Sequence, residues 1–496
     1  MLKTIPQQLY CPEQVRKHEA HAAQSAGVSL WELMERAGAA LFTCFTTYYP
    51  KVERVAVLCG KGNNGGDGYI FASLAAARGY QVQVFAAGEP KSEHAQRACE
   101  QWLNTGGEIN SLEDWFESSA ELVIDALLGT GISKPLAGVI RDVVEELNQR
   151  DIAVIAADIP TGLHGDKGCA LGVAVRAHHT VTMVALKRGL FTGEAARYCG
   201  QVEYADLGVM REFRMQTGAD AWRLDSEQLT KWLGPRDKIA HKGESGHVLV
   251  IGGAQGMAGA AGMCGLAALR AGAGKVSVIC GAGQEGLAAL TPEMMVRSGS
   301  VDDSALLSLL EHADVIALGP GLGQSEWAQQ WWQRAIDTEK PLIVDADGLN
   351  LLAQLPVERD NWILTPHPAE AARLLACDTA RIQADRWAAA KNLHAEYGGT
   401  IVLKGAGTLI NAGATPYVCA HGTPAMATAG MGDILTGIIA GLYAQSGSLS
   451  LQQEEVACAG VLVHALAAEN AAGKKTRGII ATDLMEQLAS LVNPEH

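Results

Sequence analysis

Short apolar runs recur along the first half of the chain: "RVAVLC", "QVQVFAA", "ELVIDAL", "IAVIAADI" and "HTVTMVA". Helical periodicity or glycine-rich turns separate them. Strands that are apolar nearly throughout predict a parallel sheet covered by helices on both faces. Ahead of them, "EQVRKHEAHAAQSAG" and "SLWELMERAGAALFTCF" read as helices. The second opens on Ser29 as N-cap with Glu32 three residues on, the spacing of a capping box. The rhythm breaks between about Gly208 and Asp225, where "GVMREFRMQTGADAWRLD" is polar and aperiodic. A boundary is expected there, with domains over residues 1–215 and 220–496. A second alternation follows in "HVLVIGG", "KVSVICGAG", "DVIALGPGLG", "PLIVDADGLN", "WILTPHPAE" and "TIVLKGAGTLI". The fold class is therefore α/β in two domains, without a short repeat or low-complexity segment.

One run tests this picture. Val248 to Leu269 carries no charge and is long enough to span a bilayer, yet it has glycines at 252, 253, 256, 259, 262 and 265 and closes on Arg270. A strand, a glycine loop and a helix with a small-residue face explain it better than a membrane span. Composition agrees, since 19% charged residues and 56 glycines suit an α/β enzyme with many tight turns. A net charge of −15 argues against nucleic-acid or anionic-membrane partners, so an anionic ligand must meet backbone amides or individual Lys and Arg. The 11 cysteines form no C-x-x-C, and "MLKTIPQQLYCPEQ" lacks the apolar core of a signal peptide. A reducing cytoplasm is the expected location.

The stretch "VAVLCGKGNNGGDG" places Gly60, Gly62 and Gly65 in the G-x-G-x-x-G register of a dinucleotide-binding turn. That fingerprint needs an acid about twenty residues on to hold the ribose. The place reads "GYQVQVFAAG", with no acid before Glu89, and similar spacing recurs at Gly281, Gly283 and Gly286. A hydride-transfer reading loses its support. Three polar clusters nevertheless fall at strand ends, where open α/β sheets bind ligands: Asn63, Asn64 and Asp67; Asp125 with "GTGISKP"; and Asp158 with "IPTG". Each alone is explained by turn formation or helix capping; three at successive strand ends point to a site.

In this order "LMERAG", "GKGNNGGDG", "DALLGTGIS" and "DIPTGL" resemble the NAD(P)H-hydrate epimerase domain, from about Tyr10 to Gly208. The resemblance implies a Rossmann-like three-layer sandwich that interconverts the R and S forms of hydrated NADH and NADPH. It implies substrate contacts from Asn63, Asn64, Gly65, Gly66 and Asp67 and from Gly129, Thr130, Gly131, Ile132, Ser133, Lys134 and Pro135, with Asp158 at the reacting ring. It also implies potassium held by Asn64, Asp125 and Thr161, oxygen ligands suited to a hard cation. Thr161 stands where the family usually has Ser, and His164 where it usually has Asp.

The second half has no G-x-x-x-x-G-K-[ST], so a phosphate-binding P-loop is not expected. Instead "TAGMGDILTG" sets small residues before an apolar helical pattern, so helix N-terminal amides can face phosphate charge. Asp433 in that first turn either caps the helix or accepts a hydroxyl proton. With "TPHPAE", "VLKGAGT" and "LGPGLG", the turn is similar to the ribokinase-like superfamily, His367 standing for the Asn of its N-x-x-E motif. That change, with "GAAGMCGLAALRAGAG", "DADGLNLLA" and "KGAGT", resembles the NAD(P)H-hydrate dehydratase branch over about Leu224 to Leu491. The resemblance implies a ribokinase-like α/β domain in which Ala260, Gly323, His367 and Asp433 meet the hydrated nucleotide. It further implies that Lys404, Gly405, Ala406, Gly407, Thr408 and Gly432 hold the adenine nucleotide, and that Glu370 helps hold magnesium. Asp433 would then deprotonate the ring hydroxyl for phosphoryl transfer from ADP, and phosphate would leave as the dihydropyridine re-forms.

Together the halves read as a metabolite-repair enzyme of the bifunctional NAD(P)H-hydrate repair family, with a homo-oligomer expected. Two other readings stay open: a vitamin or sugar kinase fused to a nucleotide-binding module, and a first half that binds without turnover.

Overall fold

In the strand Arg54–Cys59 the side chains alternate between two apolar clusters, Val55, Val57 and Cys59 entering one and Ala56 and Leu58 the other, as a sheet covered on both faces requires. The computed structural model describes residues 5–289 and 291–495. Its chain forms two units, Met1–Trp222 and Arg223–His496.

After a short β1 (Gln8–Leu9), the first unit builds β2 (Arg54–Cys59), β3 (Gln81–Ala86), β4 (Ile109–Ser111), β5 (Leu122–Ala126), β6 (Ala153–Ala157), β7 (His179–Met183) and β8 (Gln201–Ala205). They lie in the order β4-β3-β2-β5-β6-β7-β8, every neighbouring pair parallel. Helices Leu30–Tyr48 and Asn63–Ala76 pack on one face, and Gly138–Leu147 with the turn Leu112–Glu117 on the other. The Rossmann-like three-layer sandwich forms. Ser29 caps Leu30–Tyr48 as expected: its Oγ accepts from Glu32 N at 3.2 Å while its own N–H donates to Glu32 Oε2 at 2.8 Å. The strand order reverses between β2 and β5, which opens a crevice at their carboxyl ends.

β9 (Ala221–Arg223) leads into the second unit, which builds β10 (His247–Ile251), β11 (Lys275–Cys280), β12 (Met295–Ser298), β13 (Val315–Leu318), β14 (Leu342–Val344), β15 (Trp362–Leu364), β16 (Thr400–Leu403), β17 (Thr408–Asn411) and β18 (Tyr417–Cys419). The order is β18-β17-β16-β15-β14-β13-β10-β11-β12, parallel except for the antiparallel pairs β16/β17 and β17/β18. The run "TIVLKGAGTLI" is thus two strands joined by a turn over residues 404–407. Val248 to Leu269 resolves into β10, a loop and helix Ala258–Arg270. No helix among the described residues is long and apolar enough to cross a membrane.

Helices Ala258–Arg270 and Met431–Tyr443 lie in close contact, which glycine permits: a Cβ on Gly437 would stand 2.1 Å from the Cys264 carbonyl oxygen. Gly437→Ala is expected to lower stability by about 1–3 kcal/mol, since overpacking outweighs the gain of about 1 kcal/mol in helix propensity. Thermal unfolding checks it; an unchanged midpoint would mean that the helices part at no cost.

Candidate active sites

In the first unit a cleft of about 440 Å³ opens at the strand ends, lined by Asn63, Asn64, Asp67, Gly129, Thr130, Gly131, Ile132 and Asp158 among others. Three expected clusters therefore meet. Gly65 and Gly66, expected as substrate contacts, are buried behind the cleft wall, where a Cβ would stand 2.0 Å from the Gly60 oxygen or 2.6 Å from Met34 Cε. Gly65 lets its helix close on the turn at Gly60, Gly66 lets it pack against Met34 of the neighbouring helix, and neither is among the residues lining the cleft. Ser133, Lys134 and Pro135 also fall outside the lining.

Asp158 has a left-handed backbone (φ 65°), a conformation that costs a non-glycine residue about 1–3 kcal/mol and gathers at functional sites. Three donors converge on its Oδ1: Thr182 Oγ1 at 3.3 Å, Met183 N at 3.2 Å and the Lys187 ammonium. Its Oδ2 is left for the cleft. Lys187 is 1% exposed and also donates to the Met183 carbonyl at 2.7 Å and Thr182 Oγ1 at 3.3 Å. Burial pushes the Asp67 carboxyl well above its usual range, and the charges of Asp158 and Glu19 add to this. Glu19 is raised too, first by burial. Three carboxyls against one ammonium leave the cleft with an ion-paired acid, Asp158, beside one whose charged form burial disfavours, Asp67.

Asp125 and Thr161 lie behind this wall. Thr161 N donates to Asp125 Oδ2 at 2.8 Å and Thr161 Oγ1 to Oδ1 at 2.7 Å. Burial raises Asp125 to about 6 against these hydrogen bonds. Asn64 presents its Oδ1 toward Gly129, where a Cβ would stand 3.3 Å away, and its Nδ2 is buried without a hydrogen-bond partner. His164, the other departure from the family pattern, accepts from Asp166 N at 3.2 Å through Nδ1 and shapes its own turn.

In the second unit the ends of β14, β15 and β16 deliver Asp345, His367 and Lys404. Lys404 Nζ lies 2.6 Å from Asp345 Oδ1 and 3.8 Å from Glu370 Oε2. Thr436 Oγ1 donates to Asp345 Oδ2 at 3.0 Å. Gly432 faces the pair, a Cβ there standing 3.3 Å from both Asp345 Oδ2 and Lys404 Nζ. Gly323 N donates to Asp347 Oδ2 at 2.8 Å, and Ala260, in the first turn of helix Ala258–Arg270, lies beside Gly321.

His367 caps helix Pro368–Leu374, its Nδ1 accepting from Ala369 N at 3.0 Å. Burial and the Lys404 charge lower its pKa, so the neutral ring carries its proton on Nε2, 3.4 Å from Glu370 Oε1. Glu370 returns the cap by accepting from His367 N at 2.7 Å. Burial raises it to about 7 against Lys404. Asp433, by contrast, does not cap: Gly430 holds that position in helix Met431–Tyr443 and no side chain caps it. Burial, then Asp345, raise Asp433 to about 6.

Sequence reasoning passed over Lys187, Glu19, Asp345, Asp347 and Thr436. Asp345 follows the apolar run "PLIV" as Asp125 and Asp158 follow theirs, so the same rule would have found it.

Residues 31–189 match the family described as YjeF-related protein N-terminus, and residues 248–490 the family described as NAD(P)H-hydrate dehydratase. A bifunctional NAD(P)H-hydrate repair enzyme of Escherichia coli (strain K12) is 42% identical over 508 residues, covering 99% of this chain and 95% of its own. One of Coxiella burnetii is 42% identical over 494 residues, covering 98% and 99%. Among solved structures, a ribokinase-like superfamily protein from Enterococcus faecalis V583 is 31% identical with a TM-score of 0.50, covering 55% of this chain and 95% of its own.

Proposed function

The chain belongs to the family of bifunctional NAD(P)H-hydrate repair enzymes, and from that premise we propose which residues of each unit perform the two reactions. The first unit interconverts the R and S forms of hydrated NADH and NADPH. The second returns the S form to the reduced nucleotide, with ADP as phosphoryl donor. The observation that carries this reading is Asp433, a carboxyl raised to about 6 in the first turn of a helix and not spent on capping it.

Epimerisation requires the hydroxyl at the hydrated carbon to lose and regain its proton while a bond to that carbon breaks and re-forms on the other face. Asp158 Oδ2 takes that proton, its Oδ1 being fixed by Lys187, Thr182 and Met183. Asp67, whose charged form burial disfavours, is the acid of the pair. Asn64, Asp125 and Thr161 fit a potassium ion through their oxygens, since Asp125 is a buried carboxylate with Thr161 Oγ1 2.7 Å from its Oδ1, and Asn64 Oδ1 faces Gly129. Potassium bound there would supply the positive charge that offsets Asp125.

In the second unit Asp433 removes the ring hydroxyl proton, and the oxygen attacks the terminal phosphorus of ADP with AMP as leaving group. Lys404 and the helix N-terminal amides after Gly432 meet the developing charge. The new ester then loses inorganic phosphate, and the adjacent ring carbon gives up a proton to solvent, as the ring double bond returns. Asp345, Glu370 and Asp433 act on one ammonium, and no three acids among the described residues close into a metal site by themselves, so a dication here would take few carboxylates and mainly waters. Glu370 would hold magnesium largely through waters, where it would neutralise phosphate charge.

The base must be ionised to act, and Asp433 ionises at about 6. Dehydration kcat/KM is therefore expected to fall about tenfold per unit as pH drops below 6. A profile flat to pH 4.5, a roughly thirtyfold miss by the same rule, would remove Asp433 as base. Product analysis by phosphorus NMR separates repair from kinase chemistry: repair yields free phosphate and AMP, whereas a kinase leaves a stable phosphorylated organic product. Comparing AMP release from ADP with ADP release from ATP identifies the donor. The 11 cysteines, all free, suit a reducing compartment such as the cytoplasm.

A further inference from the structure

Arg386 is 1% exposed, yet it begins helix Arg386–Tyr397, where a cation opposes the positive end of the helix dipole. Burial brings its pKa down to about 10. Neither the helix nor the apolar interior favours an arginine there. Its hydrogen bonds show what offsets that cost. Nη2 donates to the carbonyl oxygens of Leu403 at 3.1 Å, Lys404 at 3.3 Å and Gly407 at 3.4 Å, and Nη1 donates to Gln383 Oε1 at 3.1 Å. One planar guanidinium thus holds three carbonyls across the turn between β16 and β17.

Those carbonyls fix the direction of the amides. A trans peptide unit is planar, so drawing the Lys404 carbonyl inward points the Gly405 N–H the opposite way, toward the exposed side of the turn. Gly405 adopts φ 138° and Gly407 φ 63°, and a Cβ on Gly405 would stand 2.9 Å from Arg386 Nη1. The turn is therefore moulded on the guanidinium.

We infer that Arg386 is a positioning residue for the adenine nucleotide, setting the Gly405 and Thr408 amides from behind, through the carbonyls of Lys404 and Gly407, without touching the nucleotide. This rests on the reading that residues 404–408 hold the nucleotide. A lysine reproduces it only in part, because its ammonium offers N–H groups to the carbonyls that Nη2 meets but lacks the second nitrogen that holds Gln383 and the fixed plane of the guanidinium.

The test uses the full-length enzyme with ADP, S-hydrate and magnesium, comparing Arg386→Met, Arg386→Lys and Gly405→Ala. Arg386→Met is expected to raise the KM for ADP on the order of tenfold or more, a loss typical of a displaced binding group. The KM for hydrate and the rate of epimer exchange should stay at wild-type values. Arg386→Lys should give a smaller rise, and it carries the test alone should the Met variant fail to fold. A purely structural role would lower kcat and raise both KM values together, which overturns the inference. If Gly405→Ala raises the KM for ADP while both Arg386 variants leave it unchanged, the inference fails and the nucleotide turn stands. If none of the three moves it, the nucleotide assignment fails as well.

Discussion

Asp433→Asn is expected to stop dehydration while epimer exchange continues, with a loss on the order of 10²–10⁴-fold in kcat/KM for the S-hydrate. The substitution keeps the shape of the side chain and removes only its basicity. No cap is lost, because Gly430 holds that position. Stability should not fall either. A carboxyl raised to about 6 binds its proton more tightly in the folded chain than in the unfolded one, so its contribution declines as pH rises from its ordinary range through about 6. Above pH 6 the ionised Asp433 burdens the fold beside Asp345, and Asn relieves that burden. Unchanged or higher thermal stability with lost dehydration is the signature of a base. Wild-type turnover would sink the assignment, and activity lost only along with the fold would mark a structural residue.

Lys187→Met should damage the other unit more broadly. It removes the ammonium shared by Asp158, Thr182 and the Met183 carbonyl, and leaves Glu19, Asp67 and Asp158 without their common cation. Breaking a buried pair costs 3–5 kcal/mol in general, and here about 3 kcal/mol is expected because Asp158 retains 15% side-chain exposure. Epimer exchange should fall on the order of 10²-fold or more as Asp158 loses its orientation. Dehydration of S-hydrate in the same protein should persist. Calorimetry with an epimer-exchange assay checks both; a stable, active variant would show that Asp158 is positioned by its backbone alone.

These two cases mark where sequence reading reaches and where it stops. Asp158 and Asp433 were legible because each sits beside a local signal: an apolar run that ends on an acid, and a glycine turn that opens an apolar helix. The central strands were legible for the same reason, being apolar on both alternations. β4, β8 and β12 were not, since they are short edge strands whose residues are mostly half-exposed. Lys187 was out of reach because its partner lies 29 residues away across a strand end. It acquires meaning only when β6 and β7 lie side by side. Glu19 carried a fainter signal, since a charge three and four residues from Ala22 and Ala23 and four from Val15 sits on the buried stripe of its helix. The turn over residues 404–407 is signalled by the glycines of "LKGAGT", but the guanidinium that shapes it is supplied by the preceding helix.

The central claim is that one chain epimerises and dehydrates the same substrate. It is tested most directly by incubating a mixture of R and S hydrates of NADH with the full-length enzyme, ADP and magnesium, and following reduced nicotinamide absorbance. The wild-type enzyme should convert the whole mixture, with AMP and phosphate released in equal amounts, while Asp158→Asn should stop at the S fraction apart from slow uncatalysed exchange. Absorbance that does not return from either epimer, or a phosphorylated organic product accumulating in place of free phosphate, would contradict the account.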